Sequence, residues 1–188
     1  MYSAGLGAPA GQMASGDRAE LTLHINFSPR QLAEAGAIED IERIVRRSWP
    51  GGCGLSFEIT EGTMMGNPAG VSRLLERLED LDVHLDIDDF GTGYSSLSQL
   101  QHLPVQTLKI DRSFVARIGR NEESLEIVRA IVDLAHNLDM DVIAEGVETA
   151  QQAAQLKALH CEYGQGFYFS QPKDCETAWS MVSPPAGQ

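Results

Sequence analysis

The chain has 188 residues, long enough for one domain with a sizeable core, and a hydrophobic content of 43% that is ordinary for a globular protein. A formal net charge of −13 and a pI of ≈ 4.7 create a field that repels polyanions, which argues against DNA, RNA and anionic membranes as partners and means that a phosphate ligand needs a local cation. Cys53, Cys161 and Cys175 match neither a disulfide framework nor zinc-ligand spacing, no run has transmembrane length and the N-terminus lacks signal-peptide character, so a cytoplasmic chain with no membrane contact of its own is expected.

Residues 1–20 are small, Gly/Ala-rich and aperiodic, and read as a disordered leader. From residue 21 a rhythm begins. Leu21, Leu23 and Ile25 alternate with Thr22, His24 and Asn26, which predicts a strand ending on Asn26. Ser28 is placed to cap a helix with Pro29 at its first position, and helical sequence continues to residue 48, where Pro50-Gly51-Gly52 breaks it. A second strand over 54–60 sets Leu55, Phe57 and Ile59 on one side and Ser56 and Glu58 on the other. A helix over 67–80, opened by Asn67-Pro68, carries Val71, Leu74, Leu75 and Leu78 at helical spacing. A strand over 83–88, a short helix over 97–103 and a strand over 105–110 follow.

Asn121 is placed to cap a long helix whose Leu125, Val128, Ile131, Val132, Ala135 and Leu138 form one stripe. A fifth strand covers 140–145. Thr149 with Gln152 makes a capping box for a helix to residue 159, a sixth strand covers 164–169, and a last helix covers 174–182 before a loose tail at 184–188. Strand and helix alternate throughout, which predicts an α/β fold with a parallel sheet and covered faces.

The chain is organised around Asp86-Ile87-Asp88-Asp89-Phe90-Gly91-Thr92-Gly93-Tyr94-Ser95-Ser96, where a strand runs into adjacent carboxylates and a glycine-rich turn. An isolated Asp-Asp-x-Gly is commonly a solvated turn, but this one does not stand alone. Asn26, Glu58, Asp88, Lys109 and Glu145 each fall at a strand's C-terminal end, opposite the apolar Ile25, Phe57, Ile87, Leu108 and Ala144. Strand parity therefore turns them away from the helices and towards a common axis, on the face where α/β folds bind ligands. Carboxylates, an amide oxygen and a lysine in that position suit hard divalent cations acting on a phosphate ester, with Lys109 as a point cation for the attacking water or the developing charge. His24 and His84 lie within strands and read as inward-facing, hydrogen-bonded histidines rather than ligands, and Met64 and Met65 read as packing residues of a loop.

At these residues the chain closely resembles the EAL domain family. The matching segments are Asn26-x-Ser28 with Gln31-Leu32, Phe57-Glu58-Ile59-Thr60-Glu61, Asp88 through Leu97, Leu108-Lys109-Ile110-Asp111-Arg112-Ser113-Phe114-Val115, Ile143-Ala144-Glu145-Gly146-Val147-Glu148-Thr149 and Gln165-Gly166-Phe167-Tyr168-Phe169-Ser170-x-Pro172, in family order. The resemblance implies a (β/α)8 barrel with its first strand antiparallel. It also implies hydrolysis of cyclic di-GMP to linear pGpG with Mg²⁺ or Mn²⁺, and inhibition by Ca²⁺. Carried over, Asn26, Glu58, Asp88 and Asp89 are the expected metal ligands, Lys109 the water-activating lysine, and Glu145 a second-metal or catalytic carboxylate. Gln165 is expected to position the dinucleotide, Glu61 to brace the loop after Asp89, and Glu148 to act as a supporting carboxylate.

The chain departs from the family pattern in two places. No Glu-Ala-Leu segment precedes the Asn26 strand. The expectation is therefore an incomplete (β/α)8 TIM-like barrel over residues 21–183, with about six βα units and the first two missing. Such a remnant leaves the strands of Asn26 and Gln165 as open edges, and edge pairing between copies gives a possible homodimer. The second departure is Asp86, which shares Asp88's inward face, where it either repels a neighbouring carboxylate or finds a partner. The competing functional reading is a catalytically inactive nucleotide-binding or protein-interaction module.

Overall fold

A computed structural model describes residues 8–9, 22–34, 36–48, 54–78, 81, 83–93, 100–101, 103, 105–120 and 122–182. Strands β1 (Ala8–Pro9), β2 (Thr22–Asn26), β3 (Gly54–Thr60), β4 (Val83–Phe90), β5 (Thr107–Ile110), β6 (Asp141–Glu145) and β7 (Tyr163–Gln165) form one sheet, in the order β1-β7-β6-β5-β4-β3-β2. From β2 to β7 every neighbouring pair is parallel. The result is the expected incomplete TIM-like barrel.

The outward face is apolar because alternate residues of each strand are. Leu55, Phe57, Ile59, Leu85, Ile87, Leu108, Ile110, Val142 and Ala144 are all buried. Against them lie α4 (Pro68–Leu78), through Val71, Leu74 and Leu78, and α6 (Glu122–Asn137), through Val128, Ile131, Val132 and Ala135. α7 (Ala150–Ala158) adds Leu156. Each Val, Leu, Ile or Phe among them contributes about 1.5–3 kcal/mol when removed from water. The inward face of β2 to β5 is left largely to polar residues, while β6 adds Ile143 there.

Several local features differ from the sequence expectation. The helix anticipated over 29–48 is two helices, α1 (Pro29–Ala33) and α2 (Ala37–Ser48). Glu34 turns extended at ψ 129° and ends α1, and Gly36 at φ +85° leads directly into α2, its carbonyl accepting from the Asp40 N–H. The capping box of α1 forms as Ser28 and Gln31 exchange hydrogen bonds, and that of α7 forms through Thr149 and Gln152. Two further helices, α3 (Glu61–Gly66) and α5 (Arg112–Val115), are too short to show periodicity, and α3 converts the expected Met64–Met65 loop into a turn of helix with Met64 buried.

β7 stops at Gln165 rather than continuing to 169, because the chain turns at Gly166 against Val147, to whose carbonyl Tyr168 donates. The last helix, α8 (Cys175–Val182), lies where expected. Within the stretch expected to be a disordered leader, Ala8–Pro9 pairs antiparallel with Gly164 and Tyr163, so β7 is not the open edge that was anticipated. The rest of 1–20, the Asn121 cap, Pro50-Gly51-Gly52, the tail at 184–188 and most of the helix expected over 97–103 lie outside the described residues, although Leu100 is helical and buried. No helix among the described residues is long and apolar enough to cross a membrane.

Candidate active site

Parallel register sets the site. β2 aligns Asn26 with Glu58, β3 aligns Glu58 with Asp86 and Thr60 with Asp88, and β6 aligns Glu145 with Gln165. Between β4 and β5 the ladder slips. Ile87 pairs with Leu108 and Phe90 with Ile110, so Asp88 and Asp89 together stand against the single residue Lys109. This is a β-bulge.

The bulge resolves a difficulty that strand alternation leaves open. In a regular strand Asp88 and Asp89 would face opposite sides. Asp89 instead takes φ +55°, a left-handed conformation that aspartate tolerates better than most residues. Its carboxylate joins those of Asp88 and Glu145, with one oxygen of each within 4.8 Å of the others. Thr92 closes the following turn by donating its hydroxyl to the Asp89 carbonyl at 2.9 Å.

Lys109 is the hub of the cluster. Its Nζ lies 2.7 Å from Glu58 Oε1, 3.1 Å from Asp88 Oδ1 and 2.5 Å from Glu145 Oε1, and its side chain is 3% exposed. Burial alone would lower the lysine pKa, but Glu145, Glu58 and Asp88 outweigh it and hold the ammonium above the usual lysine range. Burial raises the Glu58 and Glu145 carboxyls despite the opposing pull of Lys109. Burial also raises Asp89, with Asp88 and then Asp111 adding to it through like-charge repulsion. Asp88 Oδ1 faces Nζ without hydrogen-bond alignment and, among the described residues, accepts no hydrogen bond. Three crowded carboxylates, one of them with an oxygen that accepts no hydrogen bond, form an all-oxygen donor set that fits a hard divalent cation.

Glu61 is hydrogen-bonded to the loop after β4. It opens α3, is 2% exposed, and its Oε2 accepts the backbone N–H groups of Gly91 at 3.0 Å and Gly93 at 3.2 Å. A Cβ on Gly93 would lie 2.9 Å from Glu61 Oε1, so the close approach requires glycine.

The remaining expected residues are less closely gathered. Asn26 stands exposed at the end of β2 beside Glu58. Gln165 is half-buried next to Glu145. Glu148 is exposed, and among the described residues its carboxylate has no hydrogen-bond or ion-pair partner, although its backbone N–H donates to Gln152.

Asp86 does have a partner, since its Oδ2 lies 2.8 Å from His24 Nδ1, which in turn lies 3.5 Å from Glu58 Oε1. His24 is thus hydrogen-bonded, as expected, but to a neighbour of the site. Its signal was its parity, two residues before Asn26 on the same face. His84 is exposed. Sequence reasoning also missed Asp111, whose carboxylate caps α5 through the Ser113 N–H and raises its neighbour Asp89.

Known proteins share this arrangement of strands and much of the sequence. Cyclic di-GMP phosphodiesterase NbdA of Pseudomonas aeruginosa is 43% identical over 152 residues, covering 81% of this chain and 19% of that protein. The uncharacterized protein Rv1354c of Mycobacterium tuberculosis is 41% identical over 161 residues, covering 86% of this chain and 26% of that protein. The chain thus spans about a fifth to a quarter of the length of these curated relatives. Among solved structures, the EAL domain of Mycobacterium smegmatis DcpA superposes with a TM-score of 0.77 at 41% identity, over 85% of this chain and 71% of that one. The PaMucR phosphodiesterase in complex with c-di-GMP gives a TM-score of 0.75 at 39% identity, over 82% of this chain and 63% of that one. A sequence model of the EAL domain matches residues 8–172, and with that extent of agreement in both sequence and fold this chain belongs to the EAL domain family.

Proposed function

We propose that the chain hydrolyses one phosphodiester of cyclic di-GMP to give linear pGpG. The observation that supports this reading best is the buried Lys109 ammonium ringed by Glu58, Asp88 and Glu145 at the C-terminal strand ends, with Asp89 swung in beside them by the bulge. The relatives named as cyclic di-GMP phosphodiesterases and the neighbour bound to c-di-GMP favour the same substrate.

Each residue has a role in this reading. Asn26, Glu58, Asp88 and Asp89 would hold a divalent cation, Mg²⁺ or Mn²⁺, with Glu145 completing the set. The cation, when bound, neutralises phosphate charge and acidifies a ligand water. Lys109 works as a cation rather than a base, because the surrounding carboxylates keep its proton in place. It orients the attacking water and offsets the negative charge that grows on the phosphoryl oxygens. Gln165 contacts the dinucleotide from the neighbouring strand, Glu61 fixes the loop that carries Asp89, and Glu148 supports the rim. Ca²⁺ occupies the same oxygens without supporting turnover.

The test is chromatography of the reaction of purified chain with cyclic di-GMP and Mn²⁺. A pGpG peak that disappears in Lys109→Ala is the expected result. Saturable calorimetric binding of the dinucleotide with no pGpG at high protein concentration would replace the enzyme with a receptor module. A chain that neither binds nor cleaves would remove the nucleotide reading. Size-exclusion chromatography tests the companion proposal that two copies pair through the outer edge of β2.

A further inference from the structure

One rung below the mouth, the inward face of β2, β3 and β4 carries a second polar cluster. Register aligns Asn26, Glu58 and Asp86 on one rung and His24, Ser56 and His84 on the rung before it. Layers inside a (β/α)8 barrel are ordinarily filled by branched apolar side chains, so a histidine, a serine and two acids there call for a physical reason. His24 Nδ1 lies 2.8 Å from Asp86 Oδ2 and 3.5 Å from Glu58 Oε1. One ligand atom from each of the three residues lies within 4.8 Å of the others. A tetrahedral ion with bonds of about 2.0–2.2 Å sets its ligand atoms about 3.4 Å apart, a spacing these atoms already approach.

Among the described residues, two buried oxygens at the cluster have no hydrogen-bond partner. They are Asp86 Oδ1 and Ser56 Oγ, both on residues only 1% exposed. Ser56 pairs with His24 on the adjacent strand, and its side chain leaves the sheet on the same face. A buried polar oxygen without a partner is costly and marks a place for a ligand. Charge points the same way. The Lys109 ammonium is already shared among Glu58, Asp88 and Glu145, and among the described residues Asp86 pairs with the imidazole of His24 alone.

We propose that His24 and Asp86, together with Glu58 as a carboxylate shared with the neighbouring Asp88–Asp89–Glu145 group, form a second cation site that takes a borderline transition ion such as Zn²⁺ in preference to Mg²⁺. The imidazole supplies the selectivity. Mg²⁺ demands oxygen ligands in near-octahedral array, whereas one nitrogen with two carboxylate oxygens suits Zn²⁺ in a tetrahedral site. Three protein ligands would leave a fourth position for water. The site requires no turnover of cyclic di-GMP and stands or falls independently of it.

The test is a calorimetric Zn²⁺ titration of the full chain in excess Mg²⁺, which loads the all-oxygen group first. Co²⁺ absorption provides an independent report of nitrogen ligation. One Zn²⁺ per chain is expected, weakened at least about tenfold by His24→Gln and by Asp86→Asn and retained in Asp89→Asn. Zn²⁺ binding that vanishes under Mg²⁺, that survives both inner-rung substitutions, or that is lost in Asp89→Asn while persisting in His24→Gln overturns the proposal. Circular dichroism verifies that each variant folds. Should either inner-rung variant fail to fold, the imidazole resonances of the unsubstituted chain decide. A shift of the His24 signals on Zn²⁺ addition supports the site, and unmoved His24 signals overturn it.

Discussion

In β4 the inward acid Asp88 is followed by Asp89 at φ +55°, and in β6 the inward acid Glu145 is followed by Gly146 at φ +70°. The two strands reach the mouth with the same backbone device, and only β4 uses it to deliver a second carboxylate. Space explains the difference. A Cβ on Gly146 would lie 2.6 Å from the Arg112 Cβ, so no side chain fits after Glu145. After Asp88 the ladder has slipped by one residue and the way is open. The left-handed turn brings the next residue to the mouth, and neighbouring packing decides whether that residue carries a ligand.

The strongest way to break this comparison is to remove what both strands share. Lys109→Met strips the counter-ion from Glu58, Asp88 and Glu145 together, and urea denaturation should show a loss of about 3–5 kcal/mol. Glu61→Ala attacks β4 alone. It leaves the Gly91 and Gly93 N–H groups without their acceptor and should cost about 2–3 kcal/mol, with weaker Mn²⁺ binding by calorimetry. Glu61→Gln, which keeps an acceptor oxygen, should recover part of both losses.

Gly146→Ala is the matching attack on β6. Strain at positive φ and overlap with Arg112 should lower stability by about 2 kcal/mol without removing a ligand. At Asp89 the backbone and ligand roles separate. Asp89→Ala should be about 1 kcal/mol less stable than Asp89→Gly, because only glycine takes the left-handed turn freely, yet both should lose the same Mn²⁺ affinity.

The smallest expected effect is at Cys161, behind β6 and β7. Burial, and then the nearby Glu162, push its thiol up to about 12. A raised thiol pKa keeps the unreactive protonated form across neutral and mildly alkaline pH. Peptide mass mapping after iodoacetamide should find Cys161 unlabelled in every folded variant, so labelling there marks global unfolding rather than a change at the mouth.

Much of the site was legible because strand alternation carries it. Glu58, Lys109 and Glu145 sit on the inward parity and at the strand ends that the pattern requires, and the apolar residues between them fill the outer core. What was not legible came from interactions that alternation does not encode. Nothing in the residue order places the bulge that sets Asp88 and Asp89 on one side, since a slip in the ladder is settled by β5 as much as by β4. The Asp86–His24 pair joins residues 62 positions apart, and parity shows only that they share a face. α3 and α5 span about one turn each and leave no period to detect. The pairing of Ala8–Pro9 with β7 rests on contact with the far end of the chain, and local composition is silent on it.

The tie from Glu61 to Gly91 and Gly93 has a mechanical consequence. A carboxylate at the start of one helix is anchored to the loop of the next βα unit, so any displacement of Glu61–Gly66 is transmitted to Asp89 through two hydrogen bonds. A neighbouring domain that pressed on that helix would have a short, stiff lever on the position of a cation some way from its own point of contact.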